Sequence, residues 1–284
     1  MRRFLAVLLL FALAACRQAE PVNPALWQVT GPNGERGWLF GTIHLLPNSV
    51  DWRTGKVDEA LKQTDLLVLE IARIDDTDAL RRQFEAAAHS PGLPPLSQRV
   101  DPALRPALAK LLREAGAKEE QFADVETWAA ALMLASATVK DADPGNGIDR
   151  ALVEALPALP RTELEGGEAQ YRIFDQLPEQ DQRDLLASTL KPANDEADEA
   201  AMAEAWKKGD MARIAHETHT GMLADPGLRQ ALYTGRNLDW VPKVEALLKA
   251  GKRPFVAVGA AHLAGEDALP ALLVARGWKV ERVQ

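Results

Sequence analysis

Apolar residues recur along this chain with more than one period, and each period predicts a different element. "LWQV" (26–29) and "RGWLFGTI" (36–43) flank the turn "GPNG" (31–34), the pattern of a β-hairpin. "TGKVDEALKQT" (54–64) predicts a helix. "DLLVLEIA" (65–72) is a mostly apolar run of β-type residues, as expected of a buried strand. From about 76 to 250 the spacing is mainly helical. "VETWAAALMLASATVK" (125–140) is apolar on most sides and predicts a buried helix. "GNGIDRALVEAL" (145–156) opens another, and "RTELEG" (161–166) reads as a short strand. In "RNLDWVPKVEALLKAG" (236–251), Trp240, Val241, Val244, Leu247 and Leu248 form an amphipathic stripe, with Gly251 as C-cap. The end returns to strand and helix. "RPFVAVG" (253–259) is a strand, and "EDALPALLVARG" (266–277) is a helix with acids in its first turn. "WKVERV" (278–283) alternates as a last strand.

This order predicts an α/β fold. N- and C-terminal α/β segments share a central β-sheet, and a large, mainly helical middle is inserted between them. The expected domain spans 26–284, with its helical middle at about 76–250.

The first residues do not belong to that pattern. "MRRFLAVLLLFALAAC" places Arg2 and Arg3 before an apolar stretch, 4–15, that is too short for a stable transmembrane anchor. It reads as an export signal. Its end, "LAAC", resembles the bacterial lipoprotein processing box. That resemblance implies removal of 1–15, lipidation of Cys16, and a short tether over 16–25. Two or three acyl chains make such an anchor stable. Arg17, where an inner-membrane retention pattern usually has Asp, points to a periplasm-facing protein of the outer membrane. The alternative is an ordinary secretion signal with a chance cysteine.

Composition narrows the chemistry. Cys16 is the single cysteine, so the mature chain has no internal disulfide and no thiolate metal site. Loss of Arg2 and Arg3 takes Lys+Arg from 33 to 31 against 41 acids, moving the net charge from −8 to −10. So acidic a chain is a poor general binder of nucleic acid, and no nucleic-acid partner is expected.

Two of the five histidines follow an apolar strand, a glycine and two further residues: "WLFGTIHLLP" gives Gly41 and His44, and "VAVGAAHLAG" gives Gly259 and His262. Glycine lets a backbone leave a strand with positive φ, or approach a neighbouring segment closely. The histidine is then held at the strand's carboxyl end, where open α/β sheets bind ligands. Two such units can bring His44 and His262 together, and neutral imidazoles commonly bind divalent metal. Glu70, inside "LLVLEIA", is a carboxylate in a buried run, which calls for a paired charge or a cation. The plainer reading puts it at the strand end, in water or salt-bridged. Arg236 and Asn237 open a helix, where Asn237 could be a simple N-cap. His216 and His219 in "AHETHTG" are three apart rather than four, so they read as a solvated helix face and not as a zinc-peptidase motif. The tryptophans read as packing residues.

These stretches resemble the TraB/PrgY/GumN-like proteins, which are related in fold to the Tiki metalloproteases. The resemblance rests on "LFGTIHLLP", "LVLEI", "GIDRALVEAL", "LEGGEAQYRIFDQLP", "GRNLDWVPKVEALL" and "FVAVGAAHLAGEDALPALLVARGWKVERV", and it covers nearly all of the mature chain. It implies paired Gly-x-x-His motifs around a cleft. By position, His44, His262 and Glu70 match a divalent-metal peptidase site. Arg236 and Asn237 match the Arg-Asn pair, and Glu165 matches a further acid of unassigned role.

Two functional classes follow. One is a metal-dependent hydrolase, a peptidase, using Mn²⁺, Co²⁺ or Zn²⁺ on a peptide or protein substrate. In it Glu70 is ligand or general base and Arg236 stabilises the oxyanion. The other is a non-catalytic protein that binds peptide or assists export of an envelope polymer.

Overall fold

The structure is a computed structural model describing residues 20–138, 143–190 and 195–284. The expected signal, 1–15, and Cys16 lie outside the described residues, as does the tether up to 19. Among the described residues eight strands are formed: β1 (Glu20–Pro21), β2 (Leu26–Thr30), β3 (Arg36–Thr42), β4 (Val50–Asp51), β5 (Leu66–Leu69), β6 (Arg161–Glu163), β7 (Pro254–Gly259) and β8 (Lys279–Arg282). β1 pairs with β4. The others form one mixed sheet in the order β6-β5-β7-β3-β2-β8. β6, β5, β7 and β3 are parallel; β2 runs antiparallel to both β3 and β8.

Strand periodicity explains why the sheet is buried on both sides. Trp38, Phe40, Leu67, Leu69, Phe255 and Ala257 face one layer, and Leu39, Val68, Val256 and Val258 face the other. The first face is covered by α1 (Gly55–Lys62) and by Ile148, Leu152 and Val153 of a later helix. The second is covered by Trp240, Val241, Val244 and Leu248, the stripe legible in the sequence.

Between β5 and β6 come α2 (Thr77–Ala87), α3 (Arg105–Glu114), α4 (Thr127–Thr138) and α5 (Ile148–Ala155). After β6 come α6 (Gly167–Asp175), α7 (Glu179–Leu190), α8 (Asp195–Lys208), α9 (Met211–Glu217), α10 (Pro226–Arg229) and α11 (Gly235–Lys249); α12 (Leu269–Ala275) joins β7 to β8. Part of this helical middle has a core of its own around Leu108, Phe122, Trp128, Leu134, Leu186 and Leu228. Arg99, fully buried, clasps it by donating to the carbonyls of Pro94, Phe122 and Val125. No helix among the described residues is long and apolar enough to cross a membrane.

Two local expectations change. The helix expected at 266–277 begins only at Leu269, with Pro270 in its first turn, so Glu266 and Asp267 precede it rather than charging that turn. Arg236 and Asn237 do not open a helix either. α10, a π-helical turn (Gln230–Thr234) and α11 follow one another without a break, so Asn237 is buried inside a helix and caps nothing.

Candidate functional site

β5, β7 and β3 are parallel neighbours in register, with Leu69 opposite Ala257 and Thr42 opposite Gly259, so their carboxyl ends share one edge. Glu70 lies one residue past β5, His44 two past β3 and His262 three past β7. Neither motif glycine has positive φ, so the left-handed reading of these positions is overturned; the close-approach reading holds for Gly41. A Cβ there would lie 3.1 Å from Ala260 Cβ, so the two strand exits can touch only because the side chain is absent. At Gly259 an added Cβ would meet only ordinary contacts, 3.4 Å from Glu70 Oε1, 3.7 Å from His44 Nε2 and 3.7 Å from His262 Cδ2. The glycine leaves a hollow of about methyl size that all three side chains border.

His44 is fixed from one side. Ile148 N–H donates to the Ile43 carbonyl at 2.9 Å, and Gly147 passes so near that a Cβ would sit 2.4 Å from the His44 carbonyl oxygen. This places Asp149, buried in the first turn of α5, against His44 Nδ1 at 2.6 Å, while its other oxygen accepts from Thr42 Oγ1 at 2.7 Å. The carboxylate makes Nδ1 a donor and turns Nε2 to the hollow. It also raises the His44 pKa, to about 9, against the effect of burial. The His44 side chain is 58% exposed, so water shares in stabilising that charge.

His262 is fixed from the opposite side by α11. Asn237 Nδ2 donates to the Asp267 carbonyl at 2.9 Å, so its Oδ1, 2.7 Å from His262 Nδ1, must accept. Nδ1 therefore carries the proton and Nε2 a lone pair. Trp240 and Tyr233 pack on the ring at 4.5 and 5.7 Å. Burial pushes the His262 pKa down to about 3, leaving it neutral. The π-helical turn, a device frequent at functional sites, lies between Arg229 and α11.

Arg236 joins the acids. Its Nη2 donates to Glu70 Oε2 and to Glu165 Oε1, both at 2.5 Å, its Nε donates to Glu165 Oε2, and its Nη1 faces His262 Nε2 at 3.2 Å. Gly259 N–H donates to Glu70 Oε1 and Trp240 Nε1 to Glu165 Oε2. All four carboxylate oxygens are thus satisfied. Burial opposes the Glu70 charge, but the Arg236 guanidinium above all, with the Gly259 N–H, outweighs it and holds its pKa at about 2. Burial raises that of Glu165.

The donor set suits a divalent cation in type: two imidazoles with Nδ1 held by outer partners, a common arrangement around metals, and one carboxylate oxygen. The spacing is wider than coordination. Glu70 Oε1 and His44 Nε2 stand 3.4 and 3.7 Å from the point a Gly259 Cβ would take, and the nearest His262 atom there is the ring carbon Cδ2, at 3.7 Å, whereas ligand bonds are about 2.0–2.2 Å. Among the described residues, no three His, Cys, Asp or Glu side chains lie close enough to hold an ion as they stand. His44, Glu70 and His262 would have to close by over an ångström, and Arg236 would have to release Glu70 and His262.

The structure thus brings together His44, Glu70, His262, Arg236, Asn237 and Glu165. It also adds Asp149 and Thr42, which the sequence reading did not single out. Asp149 sits in "GIDR", where an acid in a first helical turn looks like an ordinary dipole partner. Trp240, expected only to pack, also donates to Glu165. His216 and His219 are exposed and far from forming a ligand set.

The sequence profile of the TraB/PrgY/gumN family matches residues 25–282, and the chain belongs to that family. It is similar to the uncharacterized protein YbaP of Shigella flexneri and to that of Escherichia coli (strain K12). Each is 27% identical over 264 residues, which cover 92% of this chain and 96% of the relative. No solved structure matches.

Proposed function

We propose that this member of the TraB/PrgY/gumN family is a divalent-metal-dependent hydrolase of peptide bonds. We further propose that it is tethered through Cys16 to the periplasmic face of the outer membrane. One observation carries the hydrolase reading: the side chains of His44, Glu70 and His262 meet around Gly259, with both Nδ1 atoms held by outer partners.

His44 Nε2, His262 Nε2 and Glu70 Oε1 are the groups that would hold the ion; His44 would give up the Nε2 proton that its raised pKa retains, and His262 Nε2 would part from Arg236. When bound, it supplies Lewis acidity. The chain's own residues do the rest. Asp149 and Asn237 fix the orientation of the two rings, and Asn237 fixes the tautomer of His262. Arg236, permanently charged and 11% exposed at its side chain, is placed to stabilise a developing oxyanion. Glu165 retains the guanidinium by two hydrogen bonds if Arg236 lets go of Glu70. If it is not a ligand, Glu70, once Arg236 releases it, is the base for an attacking water.

The test is to purify the mature chain, determine bound metal, and assay peptide cleavage with Mn²⁺, Co²⁺ or Zn²⁺. Cleavage should depend on one of these ions and be abolished in His44→Ala and His262→Ala. No bound metal, no cleavage, and His44→Ala behaving as wild type would sink the reading. A second reading, a protein that binds peptide or aids polymer export without cutting, is favoured by the closed Arg236–Glu70–Glu165 network, which leaves no carboxylate oxygen unpaired. Rapid turnover abolished by His262→Ala would exclude it.

A further inference from the structure

The chain is tied into the fold from Glu20 onward. β1 pairs in parallel with β4, Glu20 opposite Val50 and Pro21 opposite Asp51. Val22 is buried, in one core cluster with Trp52 and Trp206. Asn23 N–H donates to the Lys207 carbonyl at 2.6 Å, and Gly41 N–H donates to the Ala25 carbonyl at 3.3 Å. Cys16 is four residues before Glu20, so their α-carbons stand at most about 14 Å apart.

This entry point lies at one particular edge of the sheet. Ala25 stands beside Gly41, the last residue but one of β3. β2 is antiparallel to β3 and to β8, so its start, Leu26, is level with the ends of both. Leu26 N–H donates to the Gln284 carbonyl, and Thr54, the N-cap of α1, donates through Oγ1 to Gln284 Oε1 at 2.6 Å. β4 fills the stretch between His44 and Thr54. All of this is the carboxyl edge, which also carries His44, Glu70 and His262. His44 is the most exposed of the three and faces solvent there. The amino edge lies a strand's length away: β3 has seven residues, hence about 23 Å. A link of about 14 Å cannot pass down the sheet to lay that edge on a bilayer. Charge does not compete with such an anchor, because Arg53 is paired with Asp58 and Lys208 with Glu204.

We propose that acylated Cys16 holds the domain with the carboxyl edge of its sheet against the lipid headgroups, so that the site at His44, Glu70 and His262 opens onto the membrane surface. This orientation rests on the lipid anchor proposed above and is independent of the hydrolase reading. The groups that the site meets first are those displayed at that surface.

The experiment uses the full acylated chain, reconstituted in vesicles of phosphatidylethanolamine and phosphatidylglycerol. Mass spectrometry first reads the acyl chains on Cys16. Cys16 is the single cysteine and acylation blocks its thiol, so one added cysteine alone takes a bimane label. Ser49→Cys reports on the carboxyl edge and Lys252→Cys on the amino edge; both positions are exposed. With a nitroxide on the lipid headgroup, the Ser49→Cys label should be quenched at least about threefold more than the Lys252→Cys label, the edges being about 23 Å apart. Asn48→Cys and Lys62→Cys, also at exposed positions, repeat the pair, and thermal melts show which variants are folded. An insert of about 20 Gly and Ser residues after Gln18 has a mean span of about 25 Å and should abolish the difference. Equal quenching at the two edges, or stronger quenching of Lys252→Cys, overturns the proposal alone, and so does a difference that survives the insert. An unacylated Cys16 overturns the anchor reading and this proposal with it.

Discussion

His44 and His262 leave parallel strands by the same Gly-x-x-His step and end in opposite environments. His44 keeps most of its side chain in solvent and is paired with the carboxylate of Asp149. His262 is 7% exposed, lies among Trp240 and Tyr233, and is paired with the amide of Asn237. The first imidazole is held charged, with its pKa near 9, and the second neutral, with its pKa near 3. A shared motif sets where a ring stands. The partner on its Nδ1 and the depth of burial set what it does.

The largest effect should come from the buried half. Arg236→Met removes the cation between Glu70 and Glu165 and leaves two buried carboxylates facing each other, and denaturant unfolding should show a loss of about 3–5 kcal/mol. Asp149→Asn on the open half keeps an acceptor for His44 and turns its NH2 to the Thr42 hydroxyl, which can accept, and should lose only roughly 1 kcal/mol. Equal losses would mean the two halves are not energetically distinct.

Proton NMR titration of the two rings sharpens the contrast. His44 should titrate near 9 and His262 near 3, and two ordinary values near 6.5 would break it. The signs for stability are opposite. The raised pKa of His44 stabilises the fold fully below pH 6.5, and that contribution is lost as pH rises through about 9. For His262 the unfolded chain takes up a proton below pH 6.5 that the folded chain refuses until about pH 3, so stability falls across that window on acidification. Exchanging the partners tests the cause. Asp149→Asn should bring His44 back toward 6.5, and Asn237→Asp should raise His262.

The smallest effect separates the two glycines. Gly41→Ala forces a methyl to 3.1 Å from Ala260 and should lower the melting temperature measurably. Gly259→Ala meets only ordinary contacts and should change stability by less than about 0.5 kcal/mol. Yet its methyl stands beside Glu70 Oε1 and His44 Nε2, so calorimetric titration should find weaker metal binding. Equal melting temperatures for the two variants would contradict the different roles assigned to them.

Most strands and helices were legible because their signals are local. Alternation in "RGWLFGT", the stripe Trp240–Leu248 and the turn "GPNG" need no distant partner. The start of α12 was misjudged because the acids of "EDALP" resemble a first helical turn, whereas the chain uses Asp267 to bind Arg229 and Asn237. Asn237 was misjudged because a π-helical turn joins two helical segments, and its five-residue hydrogen-bond spacing leaves no mark in apolar periodicity.

The sequence by itself determined the strand exits that carry the two histidines, the buried acid after β5 and the apolar faces that stack helices on a sheet. These follow from residue type and spacing over a few positions. Only the tertiary structure decided that Asp149 faces His44, that Asn237 faces His262, and that Arg236 occupies the charge between Glu70 and Glu165. Each of these contacts joins residues 25 to 166 positions apart. Such pairings are set by strand order and helix docking, and the protonation state of each ring follows from them.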